Sequence, residues 1–133
     1  MPGAMLWAQM ETTPKRKAVQ RVVREGPSSY KEVFAHDLIS HPPLPTPGPD
    51  GMRALQQKYA SAFADLQVFI EYQFEDSQDH DRVVTVWRLT GKHVGDLETP
   101  LGPLKATNKP IDLQLITVAR FADNKIVERW GQV

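Results

Sequence analysis

From Val68 onward the sequence alternates with a period of two, whereas before Leu66 its apolar residues recur at helical spacing. That change of period limits the fold more than any other feature. In "RVVTVWRLTGKHVG", Val83, Thr85, Trp87 and Leu89 share one face, and Val84, Val86, Arg88 and Thr90 share the other. In "IDLQLITVARF", Leu113, Leu115, Thr117, Ala119 and Phe121 point one way, and Asp112, Gln114, Ile116, Val118 and Arg120 the other. "VFIEYQFED" is a further strand. Either Val68, Ile70, Tyr72 and Phe74 form its inner face, or Phe69 and its neighbours do. "SQDHD" is a turn, and "DLETPLGPLKATNKP" a long irregular connection. Asp123-Asn124 makes a tight turn, since both residue types tolerate left-handed dihedrals. "KIVERWGQV" is then the last strand, and its Trp130 marks a chain end held by packing, close to whatever the core encloses.

The first half reads as helices. Thr13 is a cap before Pro14 at the first helical position, and Gly26-Pro27 stops the segment. "SSYKEVFAHDLIS" reads as a second, short helix. "HPPLPTPGPDG" cannot be helix or central strand, and its place between two amphipathic segments makes it an ordered loop. "PDGMRALQQKYASAFADLQ" is a third helix, with Asp50 as its candidate cap. Three helices followed by four hairpin-linked strands describe an α+β domain. Residues 1–12 are set apart as a disordered or artificially added tail, so the expected domain is 13–133.

Composition excludes several classes of function. Lys plus Arg equals Asp plus Glu at 16 each, so nucleic acid is not an expected partner. There is no cysteine, which removes disulfides, thiolate catalysis and Cys-ligated metals. No apolar run reaches the length of a membrane span and no signal peptide is legible, so a cytoplasmic protein without membrane contact is expected. No nucleophile elbow, phosphate-cradling glycine loop or His-Glu-x-x-His pattern occurs.

"RKAVQRVVREG", "SHPPLPTPGPDGMRALQQKYASAFADLQV", "DRVVTVWRLTGKHVG", "ATNKPIDLQ" and "ARFADNKIVERWG" together resemble the SnoaL-like polyketide cyclases of the nuclear transport factor 2-like superfamily. The resemblance spans 14–133. It implies a cone-shaped fold, with a strongly curved antiparallel sheet wrapped around the helices and a deep apolar pocket inside. It also implies a homodimer through the convex sheet face. Known members close a ring by intramolecular aldol condensation without metal or cofactor, using an acidic residue as base. Others in the superfamily isomerise, hydrolyse or only bind ligands. This sequence departs from the pattern where the cyclases carry that Asp. The position is Thr117, whose hydroxyl is no carboxylate base. Two residues earlier, Leu115 replaces a small Gly and narrows the pocket.

The resemblance places His93 beside the pocket, where it is either an acid/base group or a loop-fixing histidine. His41 matches a family His at a helix-loop junction and is either catalytic or a loop anchor. Thr117 becomes a hydrogen-bond donor to a substrate oxygen. Tyr59, Phe63, Trp87, Leu113, Leu115, Phe121 and Trp130 are either core or the wall of an apolar pocket. His41 and His93 alone make a poor metal set, so neither metal nor cofactor is expected. The expected partner is a small apolar carbonyl compound. The expected function is cofactor-free cyclisation or isomerisation by proton transfer next to that carbonyl, or ligand binding or dimerisation without catalysis.

Overall fold

A computed structural model describes residues 13–76, 78, 81–99 and 101–131. The expected tail at 1–12 and most of the turn at 77–81 lie outside the described residues. Helix α1 (Pro14–Glu25) begins where Thr13 accepts a hydrogen bond from the backbone of Arg16 at 3.2 Å. It ends at Gly26, whose φ of 68° is left-handed and whose N–H bonds back to Val22. A short turn and helix α2 (Tyr30–Val33) lead into strand β1 (Phe34–His41). Helix α3 (Gly48–Ala62) follows the proline-rich loop. Its cap is Pro47, and Asp50 is the third residue of the first turn rather than the cap. Gly48 lets the loop close onto β1, because a Cβ there would lie 2.4 Å from the His36 carbonyl oxygen. The remaining strands are β2 (Phe63–Glu75), β3 (Arg82–His93), the small hairpin β4 (Leu97–Thr99) and β5 (Gly102–Leu104), β6 (Pro110–Ala122) and β7 (Lys125–Trp130).

The main sheet has the order β1-β7-β6-β3-β2. It is antiparallel except for β1, which lies parallel to β7. The α+β reading therefore holds, but two expectations about its elements are corrected. The segment after Val33 is a strand, not the rest of a helix. Phe34 and Leu38 fit a helical stripe as well as a pleat, and pairing along the free edge of β7 decides between them. The third helix stops at Ala62, and the chain turns into β2 five residues before the expected point. The connection after His93 is also less irregular than expected, because β4 and β5 pair within it.

The core lies between the helices and the inner face of the sheet. Val19, Tyr30, Phe34, Ile70, Val83 and Phe121 form its buried centre. One polar chain crosses it. Buried Gln20 of α1 donates to Gln73 at 3.0 Å, and Gln73 donates to Thr85 at 3.3 Å. Each partner satisfies the next, so the chain fixes how α1 sits on β2 and β3 without stranding a polar group.

Candidate functional site

A cavity of about 220 Å³ opens between the helices and the inner sheet face. Its lining is mostly aliphatic. The polar groups in it are few: the Tyr30 and Tyr59 hydroxyls, Gln56, the Trp87 indole, Thr117 and Arg129. Trp87 and Thr117 come from neighbouring strands. Trp87 pairs with Leu115 across β3 and β6, which puts Thr117 one inward position along. The indole Nε1–H donates to Thr117 Oγ1 at 2.8 Å. With that lone pair occupied, the Thr117 hydroxyl keeps its own proton to donate.

Of the residues singled out in the sequence, Tyr59, Trp87, Leu115 and Thr117 meet in this cavity. Phe63 does not line it but stacks behind Tyr59, with ring centroids 6.4 Å apart. Phe121 is core. Leu113 lies exposed further along β6. His93 is 3% exposed and stands outside the lining. The backbone N–H of Thr107 donates to its Nδ1 at 3.3 Å, and its ring meets Phe63 at 5.4 Å. Accepting there leaves the proton on Nε2, which has no partner among the described residues.

Trp130 and His41 sit on the opposite, outer face. Trp130 follows Arg129, which lines the cavity, so alternation along β7 turns it to the other face. It stacks on His41 at 5.3 Å and lies under the Arg82 guanidinium at 5.9 Å. His41 meets the Glu128 carboxylate at 2.7 Å, and Arg120 donates to the same carboxylate at 3.0 Å. Those two contacts hold the Glu128 pKa below its ordinary value. Arg88 and Asp112, cross-strand neighbours on this face, pair at 2.8 Å. The C-terminal strand is thus packed in place, as its Trp suggested, but the aromatic covers the outside of the sheet.

The polar residue that reaches the cavity from β7 is Arg129, which the sequence reading passed over. It pairs with Ala119 and Ser40, both inward residues, and is 9% exposed. Its Nη1 donates to Ser40 Oγ at 2.9 Å. Among the described residues no carboxylate forms an ion pair with it. Burial lowers its pKa, partly offset by nearby Tyr59, yet an arginine stays cationic at neutral pH. Burial likewise raises the Tyr59 pKa, so that hydroxyl stays protonated. In sequence, Arg129 looks like a solvated residue between Glu128 and Trp130. The following Gly131 was the available signal, since a Cβ there would lie 2.1 Å from the Arg129 Nη2.

The cavity thus presents hydrogen-bond donors in an apolar wall. Its described lining includes no carboxylate and no histidine. Such a site can bind and polarise an oxygen of an apolar ligand. It has no side chain that would take up a proton near neutral pH. Among the described residues no group of three or more His, Asp or Glu could hold a metal ion, and no helix is long and apolar enough to cross a membrane.

Helices over a five-stranded, mainly antiparallel sheet with a pocket between them define the nuclear transport factor 2-like class. The model of the SnoaL-like polyketide cyclases matches residues 16–133, and the chain belongs to that family. Its fold is similar to that of a protein of Jannaschia sp. CCS1 assigned to the SnoaL-like polyketide cyclases, with TM-score 0.73 and 22% identity over 90% of this chain and 84% of that one. TsrD of Streptomyces laurentii is similar at TM-score 0.72 and 20% identity, over 89% of this chain and 84% of its own. IdmH of Streptomyces antibioticus, assigned as a polyketide cyclase, is similar at TM-score 0.66 and 19% identity, over 89% and 90%. No curated protein matches the chain.

Proposed function

We propose that this chain is a ligand-binding member of the family, taking an apolar carbonyl compound into the inner cavity. The carrying observation is the Trp87–Thr117 hydrogen bond inside a lining with no carboxylate or histidine. It turns the Thr117 hydroxyl into a donor aimed at a ligand oxygen, where the cyclases hold a carboxylate. Tyr59, Trp87 and Leu115 form the flat apolar wall.

Native mass spectrometry of protein purified gently from its host tests the reading first. A retained apolar carbonyl compound is expected, and Thr117→Val should release it while leaving the fold intact. A clean apo mass, together with no saturable binding of any aromatic ketone or ester, would overturn the proposal.

An enzymatic version has one observation in its favour. Donors from Thr117 and Arg129 converge on one cavity and suit the oxygen of an enolate. In that version the protein is a cofactor-free cyclase or isomerase and His93 is its acid/base. Turnover of a ketone or ester that falls in Thr117→Val and is lost in folded His93→Ala would favour it. The same proposal includes a homodimer through the outer face. Phe69, Tyr72, Phe74 and Ile116 are exposed there beside the Arg88–Asp112 pair. A dimeric native mass that Tyr72→Glu with Phe74→Glu reduces to monomer is the expected result.

A further inference from the structure

Arg129 belongs to two cavities. It lines the inner one and also an outer one of about 410 Å³ between the proline-rich loop, α3 and β4. Leu55 is the other wall that both share. The guanidinium therefore stands where the two spaces adjoin. It is nine-tenths buried, and a guanidinium carries five N–H donors. Among the described residues it spends one of them on a side chain, Ser40. Buried cations are ordinarily paired with an acid, since an unpaired one loses hydration with nothing in return. Here the acidic group next to it is the Tyr59 phenol, which burial keeps neutral. The outer cavity is also lined by Lys58 and Glu98, and among the described residues no ion pair joins Glu98 to Arg129.

The position is also built for this side chain. The chain is glycine at 131, where any Cβ would strike Nη2. Ser40 on the parallel neighbour β1 fixes the other end of the fork. A planar donor fork held at the junction of two apolar spaces matches a carboxylate in geometry as well as in charge.

We propose that the ligand carries an ionised carboxylate, bound by Arg129 at the junction of the two cavities, with its apolar body against Trp87 and Leu115. This rests on the ligand-binding reading above and narrows its ligand to an apolar carboxylic acid.

Calorimetric titration of the full chain with naphthoic acid and with naphthamide tests it, since the two share ring and shape and differ in charge. The acid is expected to bind at least about tenfold more tightly than the amide. Arg129→Met should erase that preference while still binding the amide, and Arg129→Lys should keep part of it. Gly131→Ala retains the charge but displaces the fork, so it should weaken the acid alone. Equal binding of acid and amide by the wild-type chain would overturn the inference and leave the ligand-binding reading standing. So would a preference for the acid that survives in Arg129→Met. If neither compound binds, the cavity reading itself fails. The wild-type ratio decides even if Arg129→Met does not fold.

Discussion

Strands β3 and β6 pair from Arg82↔Arg120 to Lys92↔Pro110 without a slip. The strands outside them are interrupted. β2 slips between Ala64 and Gln67 and again between Ile70 and Tyr72. β7 carries an extra residue, Val127, between its pairings with Phe121 and Arg120. In the regular pair, alternation decides which side chains share a face of the sheet. In the bulged strands each extra residue exchanges the two faces beyond it. Ile126 and Arg129 point inward on β7, three positions apart instead of two. Ile70 and Gln73 do the same on β2. The regular strands thus supply the apolar wall and the Trp87–Thr117 pair, while a bulge in β7 delivers the buried charge of Arg129.

The strongest test of this contrast uses neighbours on β2. Ile70 is 2% exposed and Phe69 43%. Ile70→Ala should cost about 2–5 kcal/mol in urea unfolding. Phe69→Ala should cost less than about 1 kcal/mol despite removing the larger side chain. Equal losses would mean that the bulges lie elsewhere. A smaller effect is expected in the regular pair. Thr117→Val leaves the Trp87 N–H without its acceptor, at a cost of about 1–3 kcal/mol, and Thr117→Ser should restore most of it.

The two kinds of arginine sharpen the contrast further. Arg129→Met removes a buried charge that no carboxylate among the described residues pairs with, so the ligand-free protein should melt at the same temperature or gain about 1 kcal/mol. Arg120→Met breaks the outer contact to Glu128 and should not stabilise. Smallest is the acid response of the outer face. Glu128 has a folded pKa below its unfolded one, so its contribution is present above the ordinary carboxylate value and is lost as pH falls through the lowered value. Acid titration of Glu128→Gln should show a shallower loss of stability in that window. An unchanged slope would count against the His41–Glu128–Arg120 cluster.

Much of the fold was legible because its causes are local. Thr13 and Pro14 start α1 by capping chemistry, and Gly26 ends it by its left-handed dihedral. Asp123 and Asn124 turn the last hairpin with φ of 51° and 64°. The inner faces of β3 and β6 follow from parity. Four of the suspected cavity residues, Tyr59, Trp87, Leu115 and Thr117, come from these segments and from the well-patterned α3. The others lie elsewhere: Phe121 in the core, Phe63 behind Tyr59 and Leu113 exposed along β6. Trp130 lies three residues past the bulge at Val127, and His93 turns toward Phe63 and Thr107 at the end of β3.

The chain by itself determined its class, its family, the two regular strands and the substitution of Thr117 for an acid, because dihedral preferences and alternation act over a few residues. Tertiary structure alone decided that Phe34–His41 is a strand, that it runs parallel to β7, and that Arg129 rather than Trp130 faces the cavity. Those outcomes depend on which edge is left to pair and on where an extra residue is absorbed. Both are settled between segments far apart in sequence, with free energies that no local pattern carries.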